Sequence, residues 1–232
     1  MARHNESFLV AVTWLVVACV APSCGQSVNP PHSPLDVIID RFDVTDAILR
    51  DGLSTLSLKQ VPGLHLGFEE IIRERIQDDP RSLTPHFSLH LQNKTVREIL
   101  AALCDADKRY VWSEDASSVN VYPQQANAER PYLLNMHIRR IVVTEVPNAN
   151  QAVTALSGFF PGQQIGYFPT GLGDNSYSSP WTATFDDLSV RQFVNRIAEH
   201  MGPQTSWVWE GGKGERGFLF LKGGFNTYRP VP

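Results

Sequence analysis

Alternating apolar and polar positions predict a strand near the middle of this chain. In residues 87–91 every second residue is apolar, and the intervening Ser88 and His90 are polar, which is the period of a strand with one buried face. Thr95 and Glu98 then form a capping box, because the Thr95 hydroxyl accepts from the Glu98 amide while the Glu98 carboxylate reaches back to the Thr95 N–H. The pattern therefore predicts a strand that leads directly into a helix.

The residues after this cap recur at the spacing of an amphipathic helix. The predicted apolar stripe consists of Val96, Ile99, Leu100 and Leu103. Two short strands follow at residues 110–112 and 119–121, with a polar turn at 115–118 between them. Residues 87–123 are thus predicted to fold as strand, capped helix, strand and strand.

A second stretch near the C-terminus repeats this order with different residues. Residues 181–185 alternate as the first strand does, and Ser189 and Gln192 form a second capping box. Residues 207–209 and 218–220 correspond to the two strands of the hairpin. Because strand, cap, helix and hairpin recur in the same order, the sequence predicts an internal repeat.

Each repeated stretch is preceded by a further predicted strand and helix. In the first half these are the strand at 37–44 and a helix that Thr45 caps. In the second half they are the strand at 138–143 and a helix capped by Asn148. The predicted fold class is α+β, with two tandem βαββαβ-type modules whose helices pack on small mixed sheets.

Changes in composition predict where these modules begin and end. The predicted segments are a signal peptide (1–25), a tether (26–35), module 1 (36–123), a linker (124–132), module 2 (133–222) and a C-terminal tail (223–232). The element order is also compatible with one sheet shared by both halves. The polar, proline-closed linker favours two separate units.

The N-terminus has the order of regions found in a secretory signal. Arg3 precedes an apolar run at 8–21, and the small residues Ser23 and Gly25 suit cleavage before Gln26. The run is shorter than the roughly 20 apolar residues that span a bilayer. We therefore expect an extracytoplasmic protein, periplasmic or outer-membrane-associated in a Gram-negative bacterium.

Residues 16–19 also resemble a bacterial lipobox, in which Cys19 would be acylated. Simple cleavage is favoured over lipidation, because the small-residue site downstream is equally good. The membrane is then contacted only if this lipid anchor is used. Of the three cysteines, Cys104 alone belongs to the predicted modules, where a lone Cys is usually a small buried hydrophobe.

The segment at 87–123 resembles the short N-terminal domain of secretins and TonB-dependent receptors, an STN-like domain. The resemblance covers most of residues 36–123 and, more loosely, residues 135–221. It implies a periplasmic adaptor that recruits protein partners and has no catalytic residues. The function expected from it is a non-catalytic protein–protein interaction module with a partner in the cell envelope.

The sequence contains none of the common catalytic and metal-binding motifs. The sequence has no GxSxG, HExxH, P-loop or paired-cysteine zinc pattern, so no enzyme activity and no cofactor are predicted. His86, Ser88 and His90 share one strand face, which we interpret as solvated rather than metal-binding. The net charge of −4, without a basic stripe, argues against nucleic acid.

Two surfaces are predicted to bind a partner. The first is the sheet edge formed by Val119, Val121 and Tyr122, to which a partner strand could add. The second is the loop at 170–180, which contains Tyr177 and has no apolar period.

Two alternative functions remain open at this point. The first is a cell-wall or carbohydrate-binding protein, in which Trp207 and Trp209 stack on sugar rings from an exposed sheet face. The default interpretation of these indoles is core packing. The second alternative is a hydrolase with its site between the modules, for which His137 or His200 beside a perturbed carboxylate would be the evidence.

Overall fold

The structure is a computed structural model of the 232-residue chain. It describes residues 33–59, 61–71, 84–116, 118–127, 132–160, 164–169, 176–202, 205–211 and 216–223. The predicted signal peptide, and Cys19 within it, lie outside these residues.

Two series of strands and helices make up the two halves of the chain. The first series is β1 (Ile38–Ala47), α1 (Leu49–Ser57), β2 (His65–Ile71), β3 (Phe87–Thr95), α2 (Val96–Ala106), β4 (Tyr110–Asp115) and β5 (Ser118–Pro123). The second series is β6 (His137–Asn148), α3 (Ala149–Ser157), β7 (Gln164–Pro169), β8 (Ser176–Ser189), α4 (Val190–Met201), β9 (Thr205–Gly211) and β10 (Arg216–Gly223). The chain is an α+β protein, as its sequence predicts.

Both predicted capping boxes are present at the starts of α2 and α4. Thr95 Oγ1 accepts from the Glu98 amide at 3.2 Å, and Glu98 Oε2 accepts from the Thr95 amide at 2.9 Å. Ser189 Oγ accepts from the Gln192 amide at 3.2 Å, and Gln192 Oε1 accepts from the Ser189 amide at 2.8 Å. Local sequence chemistry therefore fixes where these two helices begin.

The start of α1 differs from the prediction. Thr45 lies within β1 and does not cap the helix, because the strand continues through a bulge between Val44 and Ala47. The N-cap is Ile48, whose backbone N–H donates to Asp51 Oδ2 at 3.4 Å. The extra residue of the bulge lengthens β1, so the helix begins three residues later than the pattern predicts. In the second half Asn148 caps α3 as predicted, accepting from an amide at 3.0 Å.

The two halves have the same strand pairings. In the first half, β1 pairs antiparallel with β3, β4 antiparallel with β5, and β2 parallel with β5. In the second half, β6 pairs antiparallel with β8, β9 antiparallel with β10, and β7 parallel with β10. A common ancestor for the halves stays a prediction.

One sheet nevertheless runs through both halves. Strand β2 pairs in parallel with β9, which gives a six-stranded sheet in the order β4-β5-β2-β9-β10-β7. The described residues from Ser33 onward accordingly form one compact unit. The shared sheet is the arrangement that the predicted linker argued against; residues 124–127 of this linker form a short 3-10 helix that buries Ala126.

The two hydrophobic cores lie on opposite faces of the shared sheet. Trp207 and Trp209 of β9 belong to the core of the second half, with α3 and α4. Val208 between them belongs to the core of the first half, with α1 and α2. Because successive residues of a strand point to opposite faces, the helices of each half cover a different face.

The predicted loop at 170–180 is a strand in its second part. Residues 176–180 belong to β8, and residues 170–175 lie outside the described part of the chain. Among the helices that the structure describes, none combines the length and apolar character needed to cross a membrane.

Candidate functional site at the junction of the two halves

Trp207 and Trp209 are buried, with 1% and 5% of their surface exposed. The indole Nε1 of Trp207 donates to Asn195 Oδ1 at 2.8 Å. Its ring lies against Gly67, where an added Cβ would be 2.4 Å from Cε2 of the indole. These two residues therefore do not form an exposed aromatic face, because α3 and α4 cover their side of the sheet.

The predicted sheet edge at Val119, Val121 and Tyr122 is not an edge. Strand β5 pairs with β4 on one side and with β2 on the other. Val119 and Val121 are buried in the first core, and the half-buried Tyr122 lies under the guanidinium of Arg191, 4.5 Å from the ring centroid. A partner strand cannot add to β5, since both rows of its backbone groups are used. The sequence identified the hairpin but not which of its strands is outermost.

Tyr177 lies in β8 rather than in a loop. Its side chain is outside the described part of the structure, so its role in binding stays a prediction. The two strands that join the halves, β2 and β9, lie within the described residues. We use "junction" for the β2–β9 pair and the side chains that bridge it.

A buried carboxylate occupies one face of the junction. Glu69 on β2 is fully buried. Arg191 on α4 donates through Nε to Glu69 Oε1 and through Nη2 to Oε2, the latter at 3.1 Å. The hydroxyl of Tyr132 donates to Glu69 Oε2 at 2.7 Å. Both carboxylate oxygens are therefore satisfied by groups from the second half and from the connection between the halves.

Burial and hydrogen bonding act in opposite directions on this cluster. Burial raises the pKa of Glu69, while the hydrogen bonds and charge of Arg191 and the hydroxyl of Tyr132 act to lower it. Burial and the neighbouring Glu69 also raise the pKa of Tyr132, so its hydroxyl remains a donor. Glu69 is fully buried and enclosed by its hydrogen-bond donors, so the arrangement ties the two halves of the chain together.

A second ion cluster lies on the opposite face of the junction. Arg50 Nη1 on α1 donates to Glu70 Oε2 at 2.7 Å and to Glu210 Oε1 at 3.1 Å. Glu70 and Glu210 are register partners on β2 and β9, so Arg50 offsets the repulsion between two like charges. Burial raises the pKa of Glu70, Arg50 lowers it, and Glu210 raises it further. The adjacent Glu69 and Glu70 thus point to opposite faces of the sheet, as successive residues of a strand do.

Further hydrogen bonds complete the junction. Asn195 Nδ2 donates to Asp115 Oδ2 at 3.0 Å, while the same amide accepts from the indole of Trp207. The buried His65 contacts the carbonyl oxygen of Thr205 through Nδ1 at 3.0 Å. Side chains from both halves therefore meet on both faces of the β2–β9 pair.

The two histidines considered for hydrolysis have different surroundings. His137 is exposed, with Nδ1 3.4 Å from Asp187 Oδ1. His200 stacks on Trp181 at 4.8 Å between ring centroids, and burial lowers its pKa. Neither environment combines a histidine with the buried Glu69.

The strand face at His86, Ser88 and His90 is exposed, which confirms its interpretation as a solvated face. His86 Nδ1 lies 3.1 Å from Asp46 Oδ1, and His90 Nδ1 lies 3.0 Å from Asp43 Oδ1. Within the described ranges, no group of three or more His, Cys, Asp and Glu side chains is arranged to hold a metal ion.

Cys104 packs against the core of the first half. Burial, with smaller contributions from Asp105 and Asp107, raises the pKa of its thiol to about 12. The thiol is therefore protonated at neutral pH and is not an activated nucleophile.

Sequence reasoning missed the junction charges as a set. The one signal was the pair Glu69-Glu70 inside an otherwise apolar strand, where two acids need partners. Arg50 and Arg191 lie on helices far from them in sequence, and only the fold brings them together. No protein-family model, curated protein or solved structure matches this chain.

Proposed function

We propose that this chain is a non-catalytic, extracytoplasmic protein–protein interaction module, comparable to the short N-terminal domains of secretins and TonB-dependent receptors that it resembles. The element order of the first half supports the proposal. A helix and strand precede a strand, a capped helix, an aromatic strand and a terminal strand, which is the unit on which the resemblance rests. The buried acid groups are engaged in the junction and offer no open catalytic site.

The observation that carries the proposal is the outer edge of β4. Within the described residues β4 is the end strand of the sheet, paired with β5 alone. The Gln124 amide donates to the Arg109 carbonyl at 2.8 Å, and hydrogen-bonded pairs alternate along an antiparallel ladder. The N–H groups of Trp112 and Glu114 therefore point away from β5. Such a row of backbone groups is the usual template for strand addition.

Side chains along β4 give this edge some selectivity. Trp112 is half-buried, and the guanidinium of Arg97 lies 5.8 Å from its ring centroid. Arg97 also contacts Glu114, with Nη2 3.4 Å from Oε2. An aromatic ring with one cation and one anion beside it can contact both apolar and charged side chains of an added peptide strand.

The alternatives have less support from the geometry. A sugar-binding face at Trp207 and Trp209 would require both indoles to leave the core. The hydrolase alternative would require His137 or His200 beside a perturbed carboxylate, whereas His137 lies beside the exposed Asp187 and His200 stacks on Trp181. The interaction module needs neither change.

The proposal is tested by capture experiments with two substitutions at one position. Glu114→Pro removes an outward N–H, whereas Glu114→Ala removes the carboxylate and keeps the N–H. We expect immobilised wild-type chain and the Ala variant to retain a specific envelope protein from extract, and the Pro variant to lose it. Equal capture by all three, with circular dichroism showing each folded, would contradict a β4 site. Binding to purified peptidoglycan instead would favour the cell-wall alternative.

A further inference from the structure

At the junction, two different sheet edges pair with each other, that of β2 from the first half and that of β9 from the second. In the first half the strands lie in the order β4, β5, β2, and in the second half β9, β10, β7 lie in the corresponding order. In the first half Trp112, Val121 and Phe68 lie side by side as register partners on β4, β5 and β2. In the second half Trp209, Leu219 and Tyr167 lie side by side in the same way on β9, β10 and β7. Strand β9 therefore has the position of β4, and β7 has the position of β2.

The two ends of the sheet present the same two kinds of edge as the junction. At the junction the outer edge of β2 pairs with the outer edge of β9. At the ends, and within the described residues, the outer edge of β4 and the outer edge of β7 have no strand beside them. One end of the molecule thus has the strand position of β9, and the other end has the strand position of β2, except that Pro169 of β7 has no N–H where β2 has that of Glu70.

Strand direction allows these ends to meet. Strand β4 is antiparallel to β5, β5 is parallel to β2, and β2 is parallel to β9. Strand β9 is antiparallel to β10, and β10 is parallel to β7. Because this series contains two antiparallel pairings, β4 and β7 run in the same direction. A second copy translated along the sheet would therefore place its β4 parallel to β7, as β9 lies parallel to β2.

We propose that the chain associates head to tail with a second copy of itself, with β4 of one copy pairing in parallel with β7 of the next. The junction register places Gly166 beside Tyr110 of the second copy and Phe168 beside its Trp112. This inference rests on the proposed interaction function and names the partner of the sheet edges. Because the contact joins two different edges, it does not close on itself as a two-fold dimer does, and it continues from copy to copy.

A glycine occupies the position where the junction has its closest approach. At the junction, Gly67 leaves room for the indole of Trp207. By register, Gly166 has the position of Gly67, and Tyr110 has the position of Trp207. An aromatic residue and a glycine therefore stand at the corresponding positions of the two ends. Within its own chain Tyr110 is buried and packs on Phe68, with 5.4 Å between the ring centroids. A side chain at 166 would occupy the space that this contact requires.

The charges of the junction are not repeated at the ends. The positions of Glu69 and Glu70 are taken in β7 by Phe168 and Pro169, and that of Glu210 is taken in β4 by Ser113. The contact between copies consequently lacks the two ion clusters of the junction. It is weaker than the junction, depends on protein concentration, and is little affected by salt.

The test measures the mass of the chain, expressed with its own N-terminus in a Gram-negative host and purified. Sedimentation velocity is run from low to high micromolar concentration for the wild type, Glu114→Pro and Gly166→Glu. Matched controls are Glu114→Ala, and Gly158→Glu, which adds the same charge at an exposed glycine on the C-cap of α3. We expect the wild type and both controls to grow beyond dimers with concentration, while each edge variant alone stays monomeric.

Mixing the two edge variants is the decisive measurement. Glu114→Pro retains an intact β7 edge and Gly166→Glu retains an intact β4 edge, so an equal mixture should double in mass and stop there. A wild type that stays monomeric, or a mixture that does not dimerise, would overturn the proposal. If a variant is unfolded by circular dichroism, Ser113→Cys with Pro169→Cys replaces it. These cysteines are register partners only between copies, so oxidation must give a ladder of multimers; intramolecular or no cross-links would also overturn it.

Failure of this inference differs from failure of the proposed function. A monomeric wild type that still captures an envelope protein through β4 would leave the interaction module in place and remove only the second copy as its partner.

Discussion

The carboxylate of Glu69 on β2 accepts hydrogen bonds from Arg191 on α4, and no part of the Glu69 side chain is exposed. This ion pair links β2 of the first half to α4 of the second half on one face of the shared sheet. Its partners come from positions 122 residues apart. The junction therefore depends on charges that neither half satisfies alone.

Removing one member of this pair should destabilise the whole unit. We expect Glu69→Ala or Arg191→Ala to cost about 3–5 kcal/mol, because each leaves an uncompensated buried charge. The double variant should cost less than the sum of the two. Urea unfolding of the three variants gives the coupling free energy.

The exposed pair Arg140–Asp186, with 3.7 Å between Nε and Oδ1, is the control for this cycle. Its coupling should be under about 1 kcal/mol, since both groups are solvated. A coupling at Glu69–Arg191 no larger than that of the control would contradict the role assigned to the buried pair.

A methyl group at Gly67 should also weaken the junction. The added Cβ would lie 2.4 Å from the Trp207 ring, which is held by its bond to Asn195 and cannot move away. We expect Gly67→Ala to cost about 1–3 kcal/mol through overpacking. Thermal unfolding followed by circular dichroism measures this.

Gly52 is the matched comparison, because its added Cβ would also lie 2.4 Å from a neighbour. That neighbour is the terminal methyl Cδ2 of Leu103, which can rotate, and alanine gains about 1 kcal/mol of helix propensity over glycine. Gly52→Ala should therefore be close to neutral. Equal losses at Gly52 and Gly67 would show that the rigid indole is not the cause.

The acid dependence of stability should change when Glu98 is replaced. Hydrogen bonds from Lys94 and from the Thr95 amide lower the pKa of Glu98 to about 2, from an ordinary value of 4.5. Its contribution is fully present above pH 4.5 and is lost as the pH falls through about 2.

Glu98→Gln is the suitable variant, because Gln192 already closes the equivalent cap in the second half. The variant should keep the helix and lose this part of the acid dependence. Urea unfolding at neutral pH and near pH 2 measures it; an unchanged slope between the two would exclude the Glu98 contribution.

Truncation of Trp207 should affect folding before it affects binding. The indole is fully buried, so Trp207→Ala is expected to cost about 3–5 kcal/mol. Loss of peptidoglycan binding in that variant would not identify a sugar site. Acrylamide quenching of Trp207→Phe against the wild type checks the burial, because removing a buried indole should raise the average accessibility of the remaining tryptophans.

Local signals in the sequence were sufficient for most of the elements. The capping boxes at Thr95 and Ser189 depend on residues three positions apart, so they could be identified without the fold. The alternation at His86, Ser88 and His90 likewise predicted their solvent exposure. The predicted cap at Thr45 is wrong, because the bulge before Ala47 extends the strand past Thr45.

These local signals could not predict the order of the strands in the sheet. Val119 and Val121 have the same alternation in an edge strand as in a central one, so the pattern could not show that β4 lies outside β5. The alternation of the strand places Trp207 and Trp209 on one face. Whether that face is exposed to solvent depends on which side of the sheet α3 and α4 cover, and they cover this one.

The sequence alone determined most of the elements, the caps at Thr95, Asn148 and Ser189, and the α+β class, because those follow from hydrogen bonds and periodicity within a few residues of chain. Only the tertiary structure decided that the halves share a sheet and place their helices on opposite faces of it. The shared sheet depends on the pairing of β2 with β9 and on the ion pairs that Glu69 and Glu70 form with Arg191 and Arg50. These contacts join residues far apart in the chain, so they produce no periodic pattern in the sequence.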